Sequence, residues 1–296
     1  MLATKCSPEE PTYEHFMCIL PLLISKLLTC MDDQPFVIVG TTCVRTLIAY
    51  GHKRIQQNPK KQFLPDMLKL CERLLDPLVG EIACINVGYL LLHIFDKMMP
   101  KISTELLMAV VQKMYKSRMP SVVQSLAALF GRLFIKNPKD ILGLLTETSI
   151  DNRISLKILL DRWLLHQPLF RGTYTKSVTY SALLQLFTMR DPRVESLMVI
   201  TYNPSHTNVN NEVNAPFKIL CTLIRCIDNE ANAKIVQPKD VLEEAQELLK
   251  PRSQEPAQED RLNTEGDQDE DYGFNVGKNG NLAGAVSVIV DGVSLF

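Results

Sequence analysis

The chain has 296 residues, 46% of them hydrophobic, enough to bury most of the apolar surface its unfolded form would expose. Its 22% charged residues and formal net charge of -1 are ordinary for a soluble protein, so overall charge selects neither nucleic acid nor any other partner class. The start MLATKCSPEEPTYEH lacks a basic, apolar leader, and no run of about 18 uncharged apolar residues follows, which excludes a secretory signal and a membrane span from the reading.

Apolar residues recur at three-and-four spacing rather than in alternation, so the expected elements are helices. In chain order they fall near 13 to 30, 35 to 54, 64 to 75, 78 to 98, 103 to 116, 120 to 135, 138 to 147, 152 to 166, 174 to 188, 214 to 229 and 238 to 249. Three stripes illustrate the pattern: Leu78, Ile82, Ile85, Tyr89, Leu92 and Phe95; Val122, Leu126, Leu129 and Leu133; and Ile154, Ile158, Asp161 and Leu165, with one acid interrupting. Asp76 before Pro77 and Asn137 before Pro138 place a capping acceptor ahead of a proline at helix starts, and Pro35 and Pro120 mark two more. No strand is expected before the last twenty residues.

The prolines at 35, 77 and 120 open alternate helices at separations of 42 and 43 residues, the period of HEAT and armadillo repeats. A helix pair of that kind cannot bury its stripe alone and must stack on its neighbours. The expected fold is therefore all-α, a HEAT-repeat α-solenoid of antiparallel helix pairs over residues 1–250; an irregular helical globule is the alternative.

Two further segments are expected. Residues 251–275 read as an acidic, disordered stretch: Glu255, Glu259, Asp260, Glu265, Asp267, Asp269, Glu270 and Asp271 stand against Arg261 alone, a net -7 over 253–275 that leaves the rest of the chain at +6. Such a run either attracts a basic partner or acts as a solvated spacer. Residues 276–296 form an atypical tail, expected to be disordered; AVSVIVDGVSLF carries β-prone residues around an Asp-Gly turn signal. Gly277, Gly280 and Gly284 complete no phosphate-binding motif.

Nothing in the sequence asks for catalysis, a cofactor or a metal. His15, His52, His93, His166 and His206 are scattered without zinc-ligand spacing, and Cys221 and Cys226 are too far apart for a redox pair. Cys18, Cys30, Cys43, Cys71, Cys84, Cys221 and Cys226 lie in apolar helical runs and read as core thiols of a reducing compartment, cytoplasm or nucleus.

From about Asp33 to Glu230 the chain resembles the C-terminal repeats of the importin-β family, specifically the importin-9 class of nuclear import receptors. The resemblance is carried by QPFVIVGTTCVRTLIAY, LCERLLDPLVGEIACINVGYLL, VVQKMYKSRMPSVVQSLAALFGRLF and, most specifically, DRWLLHQPLFRGTYTKSVTYSALLQLF (Asp161 to Phe187). In that last stretch Trp163, Gln167, Leu169, Phe170, Gly172, Tyr174 and Lys176 fall at the family motif's spacing. A looser match follows at APFKILCTLIRCIDNE.

The resemblance implies a non-enzymatic receptor that wraps basic cargo, notably the core histone dimer, and shuttles it from cytoplasm to nucleus through the pore proteins. Release by GTP-bound Ran is implied in the complete receptor, as is the absence of direct nucleic-acid and membrane contacts. The main Ran-binding repeats of that family lie N-terminal to the matching region, so the sequence is expected to be a fragment. The acidic run occupies the place of the family's acidic insertion, making its eight carboxylates the candidate cargo contacts. A HEAT scaffold for a non-transport complex and a fragment that competes for cargo are the alternatives. Trp163 admits two roles: an exposed cargo anchor, or a packing residue whose indole N–H finds one acceptor. Leu169, Phe170 and Tyr174 share that choice, with packing the expectation.

Overall fold

The computed structural model describes residues 11–57, 63–99, 102–201 and 211–235. The acidic segment 251–275, the tail 276–296 and the expected helix at 238–249 lie outside the described residues.

Among the described residues the helices are α1 (Pro11–Thr29), α2 (Gln34–Gln57), α3 (Phe63–Leu75), α4 (Val87–Lys97), α5 (Thr104–Lys116), α6 (Pro120–Lys136), α7 (Pro138–Glu147), α8 (Ser155–His166), α9 (Thr173–Thr188), the single turn α10 (Pro192–Glu195) and α11 (Ala215–Ile235). Local chemistry sets several starts. The Asp33 carboxylate accepts the Phe36 N–H at 3.1 Å ahead of α2, and the Ser103 hydroxyl accepts the Leu106 N–H at 3.2 Å ahead of α5. Pro120 and Pro138 occupy first-turn positions of α6 and α7, where no N–H is required. Asn137 occupies the expected N-cap position of α7 but makes no side-chain capping bond, and it is at the same time the C-cap of α6.

The helices form two layers. In the first, α1 packs on α3, α3 on α5 and α5 on α8; in the second, α2 packs on α4, α4 on α6 and α6 on α9. Consecutive helices join the layers as pairs, α1 with α2, α3 with α4 and α5 with α6, while α7 is wedged against α6 and α8. This is the all-α, HEAT-like solenoid expected from the sequence, although of the three evenly spaced prolines only Pro35 and Pro120 lie in a helix's first turn, Pro77 falling in the linker before α4. Its core is continuous from Leu20 to Leu223, because each pair leaves an apolar stripe that only the next pair can cover. Val122, Leu126, Leu129 and Leu133 are almost wholly buried, and each such side chain contributes about 1.5–3 kcal/mol on leaving water.

Three expectations are corrected. First, two short antiparallel ladders interrupt the helices. Strands β1 (Ser149–Ile150) and β2 (Arg153–Ile154) pair around the two-residue turn Asp151-Asn152, and both turn residues have positive φ, 50° and 61°. Asp and Asn tolerate that region, and it matches the twist of a tight hairpin. Strands β3 (Met198–Thr201) and β4 (Asn211–Asn214) pair from Met198↔Asn214 to Thr201↔Asn211.

Second, the helix expected over 78 to 98 begins only at Val87, after a 3-10 turn at Ile82–Cys84. The carbonyls of Asp76 and Val79 are taken by the Lys113 ammonium at 2.9 and 3.0 Å, and the Asp76 carboxylate turns back to the Leu78 N–H at 2.8 Å, so the segment folds as a clasped linker. Leu78, placed in an apolar stripe by its spacing, is 91% exposed. Third, α8 starts at Ser155, and Ile154 and Leu165 face solvent while Leu156, Leu159, Leu160 and Trp163 are buried. Cys18 is also exposed rather than in the core, although Cys71, Cys84 and Cys226 are buried.

Candidate functional site

Trp163 is fully buried in α8, 6.5 Å from the Phe134 ring of α6, and its indole N–H donates to the Gln167 side-chain carbonyl. The Gln167 amide donates to the Thr179 hydroxyl at 3.0 Å, which in turn donates to the Thr175 carbonyl at 2.8 Å. The Thr175 and Tyr89 hydroxyls are 2.9 Å apart, and the Gln124 amide donates to Tyr89 at 2.8 Å. Gln124 closes the chain on the backbone of Arg171, donating to its carbonyl at 3.0 Å and accepting its N–H at 2.9 Å. One hydrogen-bonded path thus ties α8, α9, α4 and α6 together, and every link satisfies a group that would be costly to bury alone.

The turns between the layers are clasped from a neighbouring pair along the stack. Lys113 of α5 reaches back to the linker at 76–79, as above. Arg162 of α8 donates to the carbonyls of Tyr115 at 2.7 Å and Ser117 at 2.9 Å. The Glu81 carboxylate accepts the backbone N–H groups of Arg118 and Met119. At the hairpin end, buried Asp161 accepts the Ile200 N–H at 2.7 Å, while Lys157 bridges to Glu212 at 2.9 Å and to Asp161 at 3.5 Å. Burial raises the Asp161 carboxyl above its ordinary range, and the Ile200 N–H and Lys157 only partly oppose this.

The second layer presents a different surface. Arg45 of α2 stands 5.7 Å over the Tyr89 ring of α4; Asp96 of α4 is bridged by Arg132 at 3.1 Å and by Lys136, both of α6; and the Lys136 ammonium lies 4.7 Å over Phe95. Burial of Asp96 alone would raise its carboxyl, but hydrogen bonds from Lys136 and Arg132 hold it below the ordinary range. His93, one turn before Lys97, is made less basic by burial and by the cations Arg45 and Lys97. Tyr174 of α9, 55% exposed, feels Asp96 and Arg132, with burial the larger cause of its raised phenol.

The family-motif residues separate into two groups. Trp163, Gln167 and Phe170 are buried; Leu169 and Tyr174 are exposed, and Lys176 is half-buried. Gly172 sits at φ 84°, where a side chain would be strained, and its carbonyl accepts the Lys176 N–H at 3.1 Å to start α9. The eight acids from Glu255 to Asp271 lie outside the described residues. Sequence reasoning missed Arg45, Tyr89, Asp96, Arg132 and Lys136, although bases without neighbouring acids in α2 and α6 were a visible signal. Among the described residues no group of histidine, cysteine and carboxylate side chains could hold a metal, and no helix is long and apolar enough to cross a membrane.

A two-layer stack of helix pairs interlocked through turns and polar bridges defines the class: a HEAT-type α-solenoid. No family model matches the sequence. The chain is 30% identical over 139 residues to importin subunit beta-5 of Saccharomyces cerevisiae, covering 46% of this chain and 14% of that protein. It is 26% identical over 178 residues to importin-9 of Drosophila melanogaster, covering 57% of this chain and 18% of that protein. The likeness supports the importin-β family without singling out the importin-9 class, and the chain spans less than a fifth of either relative's length.

Proposed function

We propose that the chain is part of a nuclear import receptor of the importin-9 class, a non-enzymatic carrier that shuttles basic cargo between cytoplasm and nucleus. The observation that carries this reading is the coincidence of a HEAT-type stack with sequence likeness to two importins. The cargo is a lysine-rich folded protein such as the core histone dimer, and pore proteins and Ran are partners of the complete receptor. Cargo contact falls to the acidic run at 253–275, with its eight carboxylates, rather than to the second-layer helices. Among the described residues those carry Arg45, Lys53, Lys97, Arg132, Lys136 and Lys176 against Asp96 alone, a surface that repels lysine-rich proteins.

A pull-down of the core histone dimer by the full chain across a salt series, with and without GTP-loaded Ran, tests the reading. Capture at low salt that weakens as salt screens the carboxylates is the expected result. Replacing Glu255, Glu259, Asp260, Glu265, Asp267, Asp269, Glu270 and Asp271 by their amides should abolish it. No capture at low salt removes the histone proposal for this chain. Capture that survives the eight replacements moves the contact elsewhere.

A further inference from the structure

The two helix layers carry equal numbers of bases but very different numbers of acids. The first-layer helices α1, α3, α5 and α8 hold seven lysines and arginines with five acids, whereas α2, α4, α6 and α9 hold seven with one. Several first-layer cations are committed to the fold, since Lys113, Arg162 and Lys157 bond backbone carbonyls. The second-layer cations are not consumed in this way. Arg45, Lys97, Arg132 and Lys136 gather around Tyr89, His93 and Tyr174 across four consecutive helices, with Asp96 as the only carboxylate among them in the described residues.

We propose that this second-layer face is a docking surface for an acidic, extended polypeptide segment of a partner protein. It goes beyond the transport reading and does not depend on it. The face already shows what it binds: Arg132 and Lys136 close on a single carboxylate, that of Asp96, from two sides. A partner carboxylate can take the same cations from the solvent side, where Lys136 and Lys97 are exposed. Arg45 on α2 and the Arg132/Lys136 pair on α6 stand two helices apart, about 16–20 Å at ordinary helix spacing. An extended chain spans that in about five or six residues, so acidic side chains at that interval reach both. The exposed Tyr174 ring offers flat apolar area beside the charges. Nucleic acid is the weaker fit, because Asp96 sits at the centre of the face and would oppose a continuous line of phosphates.

Fluorescence anisotropy with a short labelled peptide of alternating glutamate and glycine tests this on the full chain. The eight carboxylates of 253–275 are first replaced by amides, so that only the peptide supplies acids. We expect saturable, salt-sensitive binding, with the lysine counterpart of the peptide not bound. The double variant R45Q/K97E should weaken it about tenfold, and D96N, which frees Arg132 and Lys136, should tighten it by several-fold. Opposite changes in two variants at one face cannot both arise from lost folding. Binding that neither variant alters overturns the proposal, as does a single-stranded oligonucleotide held more tightly than the peptide.

Discussion

The two layers of the stack solve the same packing problem by different means. In the first layer, side chains hold the turns of neighbouring pairs: Lys113 and Arg162 give their hydrogen bonds to carbonyls that no helix can use. In the second layer the helices come close enough that side chains are left out. A Cβ on Gly88 of α4 would meet the Ser125 carbonyl oxygen of α6 at 2.1 Å, a backbone-to-backbone contact with nowhere to move. The layer bound by charged clasps carries five acids beside its seven bases, whereas the layer bound by close approach carries one, so its face keeps the greater positive charge. Which helices can recruit a charged partner follows from how each layer is built.

The largest test of this contrast is at the residue where the layers meet. Replacing Trp163 by alanine removes a fully buried ring that touches Phe134 and unlinks Gln167, and should cost about 3–5 kcal/mol by urea denaturation. Trp163→Phe keeps most of the ring and should cost less; equal losses would show that the N–H matters more than the volume. Next comes Gly88→Ala, expected to cost about 3 kcal/mol because α4 and α6 must separate. A neutral result there would remove the close-approach account of the second layer. Lys113→Met keeps the aliphatic stem but leaves the Asp76 and Val79 carbonyls without their cation, an expected loss of about 2 kcal/mol. Rapid amide exchange confined to residues 76–86 in that variant would show the clasp acting locally.

Much of this architecture was legible in the sequence, since the three-and-four apolar pattern reports a local requirement that every helix pair repeats. The failures share one cause. Leu78 satisfies the helical spacing, yet the linker that holds it is shaped by Lys113, 35 positions further along, and periodicity carries no information about such a partner. The β1–β2 hairpin was available in the dipeptide Asp151-Asn152, whose tolerance of positive φ is a turn signal, but Asn152 and strand β2 fall within the helix expected over 152 to 166. The second-layer face was half-visible. Missing acids in α2 and α6 can be read directly, whereas the joining of Arg45, Tyr89, Asp96 and Lys136 depends on which helices pack together.

The smallest predicted effect separates the layers by the sign of their response to acid. Asp96 in the second layer has its pKa held below the ordinary 3.8, so it favours the folded state above that value and loses that contribution as pH falls through the depressed one. Asp161 in the first layer has its pKa raised above 3.8, so the folded protein takes up a proton there first, and stability declines as pH rises from 3.8 through the raised value. Acidification therefore weakens the fold through one carboxylate and strengthens it through the other. Urea titrations between about pH 3 and 7 on D96N and D161N read the two separately, each difference expected on the order of 1 kcal/mol because in both carboxylates burial is opposed by hydrogen-bond partners. D96N should lose less than the parent on acidification, and D161N should lose more. If both variants change the acid response in the same direction, the two carboxylates lie in equivalent environments and the contrast between clasped and open layers fails at its charged residues.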